Sequence, residues 1–256
     1  MQEDWEPRNI LVNLKSGKKL GGMFKAIADK PRGWSPFAED GRIHCERYDS
    51  DTNILFLRRL LKGMLDGAKF LDIDRRSLDA FDDLNQLLCN PERLGNFSTF
   101  AALLKSIELG LNDIDDQVNV KLARMSLSEC ARIDEAIVCL RHYCYFASTV
   151  MSVSAVESRL HSLIEQMDKD LYQKKFSRAT IGQILGQITA AKKTDEDTGK
   201  LAGVVPAKHQ PLLNLLNVYR VYSVHPKDED VTAQIAESVL HLSCSLLTDV
   251  KMACQP

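Results

Sequence analysis

Apolar residues recur every three or four positions through most of the chain after residue 50, which is the spacing of amphipathic helices. Three such segments follow residues that can cap a helix: Ser50 or Asp51, Ser77, and Ser98. We expect the third helix to end at Gly110, because glycine commonly terminates helices. The stretch 9–14 (NILVNL), in contrast, could form one short strand.

The middle of the chain carries two patterns of the capping-box type, Ser126-x-x-Glu129 and Ser154-x-x-Glu157. They predict helices at about 128–149 and 155–172, with a break in the β-branched and serine-rich run TVMSVS at 149–154. Further helical periodicity covers about 178–192, 208–222 and 229–248. The pattern therefore predicts an all-α fold.

Glycine and proline are concentrated before residue 42 and are absent between Gly110 and Gly182. This contrast predicts two regions. Residues 1–120 would be a smaller, loop-rich and mainly helical N-terminal region of unknown role, and residues 126–256 a helical bundle.

The formal net charge of the 256 residues is -2, which excludes a protein that holds nucleic acid by bulk charge alone. The charge is nevertheless segregated. Residues 169–227 contain ten Lys and Arg against four Asp and Glu, whereas residues 65–116 are acidic. This excess of positive charge in residues 169–227 would favour a phosphate site within that segment.

Seven scattered cysteines, an odd number, are typical of a reducing compartment. The first residues, MQEDWEP, do not resemble a signal peptide. The longest uncharged stretch, roughly 142–156, is short and rich in serine, so we expect a buried helix rather than a membrane span. These features favour a cytoplasmic protein without membrane contact.

The familiar templates for nucleotide, metalloprotease and serine-hydrolase chemistry are absent from the chain. Cys139, His142 and Cys144 could suggest a metal site, but on one continuous helix Cys144 would lie well round from the other two. We therefore expect core residues there, with no metal and no cofactor.

Arg220 and His225, with four residues between them in YRVYSVHP, stand out as candidate chemistry. Pro226 disfavours helical geometry at the residue before it, so the helix should stop before His225 and the chain should turn there. Asp228 or Asp230 would then cap the next helix. The two side chains would be free to converge on one cleft.

A helix ending in Arg-x4-His, followed by proline and an amphipathic helix, resembles the HEPN superfamily of small α-helical bundles. The order of the preceding helices fits as well, and the resemblance covers about residues 126–250. Active members of that family are metal-independent endoribonucleases that work as dimers, so the resemblance implies an RNA substrate and a homodimer. It also suggests a role in toxin or antiviral defence, with a possible regulatory protein partner.

Carried onto this chain, the resemblance makes Arg220 and His225 the catalytic pair. The arginine would hold the scissile phosphate, and the histidine would move the proton of the RNA 2′-hydroxyl. Ser223, Lys227 and Tyr222 are candidate substrate contacts. Active members often have a polar residue directly after the arginine, whereas this chain has Val221.

Two other interpretations stay open. The chain could be a non-catalytic HEPN-like module that binds a nucleotide, RNA or protein partner through the same cleft. Alternatively, Arg220 and His225 could be ordinary residues that are favourable near the negative end of a helix dipole.

Overall fold

The computed structural model describes residues 10–17, 69–71, 73, 97–191, 194, 199–224 and 230–253. Within these ranges every regular element is helical, and no strand is present. The all-α prediction is confirmed. The chain divides into two compact units, residues 1–120 and residues 121–256.

The α-helices are numbered in chain order. They are α1 (Ile10–Lys15), α2 (Phe97–Leu122), α3 (Leu127–Arg141), α4 (Tyr145–Met167), α5 (Lys169–Leu171), α6 (Ile181–Ala190), α7 (Gln210–Val224) and α8 (Ala233–Thr248). A π-helical turn, Tyr172–Phe176, continues α5, and short 3₁₀ turns lie at Gly199–Leu201, Ala207–His209 and Val250–Met252.

The predicted strand at 9–14 is wrong, because this segment forms helix α1. Ile10, Leu11 and Leu14 are buried at the i, i+1, i+4 spacing of one helix face. Gly17 follows the helix with a φ of +86°, a left-handed conformation that glycine adopts without strain. The helices predicted after residues 50 and 77 lie outside the described residues.

The predicted end of a helix at Gly110 is also wrong, because α2 continues to Leu122. Ile114, Val118 and Leu122 repeat at i, i+4, i+8 and are all buried. Burial of this stripe outweighs the cost of one glycine inside a helix, about 1 kcal/mol relative to alanine.

The start of α3 confirms the predicted capping box. The Oγ of Ser126 accepts the N–H of Glu129, and the Glu129 carboxylate accepts the N–H of Ser126 at 2.7 Å. The predicted continuation to residue 149 is wrong, however. The helix ends at Arg141, and α4 begins at Tyr145.

The predicted break at 149–154 lies inside α4. Two buried serines in or beside this run keep a hydrogen bond, because Ser148 donates its Oγ hydrogen to the carbonyl of Ala136 (2.9 Å) and Ser152 donates to the carbonyl of Ser148 (2.8 Å), whereas the buried Oγ1 of Thr149 has no partner among the described residues. Such residues let α3 and α4 approach closely. The run that suggested a break is the interface between two helices.

The second predicted capping box is also wrong, because Ser154 and Glu157 both lie within α4 and no helix begins there. The cap of α8 also differs from the prediction. Its N-cap is Thr232, whose Oγ1 accepts the N–H of Ile235, and not Asp228 or Asp230. Helices α6, α7 and α8 otherwise lie where their periodicity predicts them.

Helix α4 is central to the second unit and contacts α3, α7 and α8. It carries a buried arginine, Arg159, which is 1% exposed. Its guanidinium meets the Glu129 carboxylate side-on, with Nε–Oε1 at 2.8 Å and Nη2–Oε2 at 2.6 Å. The same guanidinium donates to the carbonyls of Arg124, Leu247 and Met252. One side chain therefore joins the start of α3, the middle of α4 and the end of α8.

Candidate functional site

Arg220 lies in the last described turn of α7, which runs Gln210–Val224. Its side chain is 27% exposed, and its Nε lies 3.6 Å from Oε2 of Glu157. His225 and Lys227 lie outside the described residues. The structure therefore places one member of the predicted catalytic pair.

Glu157 connects three helices around Arg220. Its Oε1 accepts the N–H of Ile181, the first residue of α6, at 2.7 Å, while Oε2 faces Arg220. Glu157 itself lies on α4. The carboxylate therefore fixes the start of α6 beside the end of α7.

Helices α6 and α7 approach each other closely one turn before Arg220. A Cβ added to Gly182 would lie 3.1 Å from the side-chain amide atoms of Asn217, whereas the same addition at Gly186 would meet nothing within 4 Å. A side chain at position 182 would therefore crowd Asn217, which would have to shift by a few tenths of an ångström.

Two of the candidate substrate contacts, Ser223 and Tyr222, lie on the same turn as Arg220. Ser223 is buried and donates its Oγ hydrogen to the carbonyl of Tyr219 at 2.8 Å, a bond within its own helix. Tyr222 is exposed, as is its neighbour Val221.

The basic block at 169–227 is partly neutralised by ion pairs. Lys200 contacts Asp168 at 2.6 Å, and Lys208 contacts Asp249 at 3.0 Å. The pKa of Asp168 is lowered, first by the backbone N–H of Leu171 and then by Lys200. These cations are engaged within the protein.

A pocket of about 510 Å³ lies between the π-helical turn and α6. Its lining includes the exposed cations Lys175 and Arg178 together with Gln183 and Gln187. Arg178 precedes α6 by three positions, and Glu157, which faces Arg220, accepts the N–H of Ile181 at the start of the same helix. Cationic and amide side chains of this kind suit an anionic ligand.

An exposed apolar stripe runs along α7 on the approach to Arg220. Leu215, Val218 and Tyr222 follow the i, i+3, i+7 spacing and are each more than one-third exposed, and Val221 and Val224 extend the surface. The sequence interpretation did not identify it. The available signal was the presence of more apolar residues on this helix than one buried face requires.

The turn that holds Cys139, His142 and Cys144 also differs from the expectation of one continuous helix, because α3 ends between the first and the last of these residues. Among the described residues, no group of three or more His, Cys, Asp or Glu side chains could hold a metal ion. None of the described helices combines the length and the apolar character needed to cross a membrane.

No family model matches the chain, and searches of curated proteins and of solved structures found no match.

Proposed function

We propose that the second unit is a HEPN-like bundle that cleaves RNA without a metal ion, using Arg220 and His225. The observation that carries the proposal is the position of Arg220. It is partly exposed near the end of α7 and faces Glu157, which also accepts the N–H of Ile181 at the start of α6, and residues of α6 line a pocket with exposed cations.

The orientation of Arg220 suits phosphate binding. Glu157 faces the Nε of the guanidinium, so the two terminal nitrogens remain for a phosphate group. A planar guanidinium can donate two parallel hydrogen bonds to phosphate oxygens and stabilise the additional negative charge of the transition state. Glu157 is then a positioning residue.

In the same proposal, His225 accepts the proton of the RNA 2′-hydroxyl, which attacks the adjacent phosphorus. The leaving 5′-oxygen receives a proton from water, and the products are a 2′,3′-cyclic phosphate and a 5′-hydroxyl. Because the nucleophile is the 2′-hydroxyl, DNA of the same sequence is not cleaved.

The exposed stripe of α7 offers a surface for a second copy of the chain. Leu215, Val218 and Tyr222 are on the helix that carries Arg220, so a dimer formed there would bring two copies of the arginine to one interface. Action in the cytoplasm, in toxin or antiviral defence and under a regulatory protein, belongs to the same proposal.

The test is RNA cleavage in the presence of a chelator. Wild type should produce cyclic-phosphate ends, and Arg220→Ala and His225→Ala should each lower the rate at least about 100-fold, the size expected for a lost proton-transfer or charge-stabilising group. The matched control is Arg132→Ala, on the outer part of α3. Equal cleavage by wild type and both site variants, all shown to be folded, would refute the proposal.

A second function is favoured by the ion pair itself. Because Arg220 is already paired with Glu157 and an apolar stripe lies beside it, the same surface could bind a partner without chemistry. In that case the wild type binds labelled RNA or a protein without cleaving RNA. Val218→Glu then abolishes binding while His225→Ala leaves it unchanged.

A further inference from the structure

The turn between α3 and α4 has the hydrogen bonds of a Schellman motif. The N–H of Cys144 donates to the carbonyl of Cys139 at 2.9 Å, and the N–H of Tyr143 donates to the carbonyl of Leu140 at 3.2 Å. Tyr143 has a φ of +61°, the left-handed conformation that this motif requires at its C′ position. The helix thus ends without the usual glycine.

This geometry places two cysteines in a defined relation. In a Schellman motif the third residue from the helix end and the second residue beyond the cap commonly make a side-chain contact. These positions are Cys139 and Cys144. Both are free thiols, Cys144 is exposed and Cys139 is half-buried, whereas Cys130 and Cys244 are fully buried.

We propose that Cys139 and Cys144 form a thiol–disulfide exchange site that reacts with low-molecular-weight disulfides and closes to an intrachain disulfide. The 2.9 Å hydrogen bond from the Cys144 N–H to the Cys139 carbonyl holds the two backbones side by side, and a disulfide requires such proximity. The site is separate from Arg220 and does not depend on the proposed nuclease.

The exchange occurs in two steps. The exposed Cys144 thiolate attacks one sulfur of the oxidant RSSR, which forms the mixed disulfide Cys144–S–S–R and releases one thiolate RS⁻. The Cys139 thiolate then attacks the sulfur of Cys144 and releases the second RS⁻. The two protein thiols lose two protons and two electrons, and RSSR becomes two RSH.

The surroundings of Cys139 control the second step. Burial raises the pKa of this thiol, and the Glu135 carboxylate and the neighbouring Cys144 raise it further. The Cys139 Sγ lies 3.9 Å from Oε1 of Glu135. Because only the thiolate attacks, closure should be slow at neutral pH and should accelerate as pH rises.

Peptide mapping of the full chain tests the proposal, with oxidised glutathione as the probe. Trypsin cleaves after Arg141, between the two cysteines, and gives peptides 133–141 and 142–159 with one cysteine each. After incubation of the folded protein, quenching by alkylation and digestion without reductant, the two peptides should be found linked. Reduction should separate them.

Variants separate the two steps. Cys139→Ser should stop at the Cys144–glutathione adduct, Cys144→Ser should not form the linked pair, and Glu135→Gln should close several-fold faster than wild type at pH 7. Circular dichroism checks that each variant is folded. The proposal is overturned if the folded wild type carries two separate glutathione adducts, or if the linked peptides form only in urea.

Discussion

Replacing Arg159 by leucine should strongly destabilise the second unit. The change removes both contacts to Glu129 and leaves the carbonyls of Arg124, Leu247 and Met252 without this donor. Breaking a buried ion pair by removing one partner costs about 3–5 kcal/mol. The three carbonyls add to this, so we expect a loss of at least about 4 kcal/mol, a large part of the roughly 5–15 kcal/mol typical of a domain.

Urea unfolding followed by far-ultraviolet circular dichroism measures this loss. Tryptophan fluorescence is unsuitable, because Trp5 and Trp34 both lie outside the second unit. With a urea slope of about 2 kcal/mol/M, the midpoint should fall by about 2 M. The matched control is Arg132→Leu on α3, whose arginine donates to the carbonyl of Ser128 within its own helix. It should change stability by less than about 0.5 kcal/mol.

A double-mutant cycle identifies the cause. Arg159→Leu and Glu129→Leu should each be severe, but together they should cost clearly less than the sum, because no buried charge is then left without its partner. Arg159→Lys keeps the charge but loses the planar fork, and it should lie between wild type and leucine. Additive single effects, or a stable Arg159→Leu protein with the midpoint of wild type, would refute the reasoning.

Four smaller changes test other parts of the unit. Gly186→Ala should raise the free energy of unfolding by about 0.5–1 kcal/mol in urea titrations, since the site is open and alanine favours helix. Gly182→Ala on the same helix should gain less or lose stability, because its Cβ crowds Asn217 at 3.1 Å, and equal gains would contradict the close approach. Thr232→Ala should cost about 1 kcal/mol by removing the cap of α8, and an unchanged melting temperature would argue against that cap. The backbone N–H of Lys251, followed by Lys208, lowers the pKa of Asp249 from 3.8 to about 2, so its contribution to stability is complete above pH 3.8 and is lost as pH falls through about 2. Asp249→Asn should therefore flatten the fall of the melting temperature in this acid range, and an unchanged acid profile would exclude the mechanism.

The helical elements with strong local signals could be predicted from the sequence. Ser126 and Glu129 mark the start of α3 because a capping box is complete within four residues. The regular spacing of apolar residues was likewise sufficient to locate α7 and α8. These features depend on neighbours along the chain, so no tertiary information was needed.

The predicted helix boundaries are wrong where contacts between distant parts of the chain determine whether a segment is helical. The serine-rich run at 149–154 lies inside α4, where Ser148, just before the run, donates to the carbonyl of Ala136 on α3 and Ser152 donates to the carbonyl of Ser148 within its own helix. The true break at Tyr143 carries no glycine, so the usual signal for a left-handed residue is missing. Gly110 lies inside α2 because burial on that helix outweighs its weak propensity.

Arg159 was missed although the pattern contained a signal. It lies between Val156 and Leu160 on the buried face of α4, a position that an arginine occupies only when its charge is paired. The partner, Glu129, had already been assigned to a cap, and its second role could not be read from sequence spacing. At the candidate site, the sequence indicated Arg220 but not Glu157, whose function depends on the meeting of three helices.

The buried arginine also has a consequence for the order of events during protein synthesis. Its acceptors at Leu247 and Met252 are 88 and 93 residues further along the chain. At a translation rate of about 5–20 residues per second, roughly 5–20 s pass between the addition of Arg159 and the addition of these residues. Only Glu129 and Arg124, made earlier, can hold the guanidinium during that time. The nascent chain can therefore pair α3 with α4 on the ribosome, but the bundle around Arg159 closes only after the segment containing Met252 has emerged.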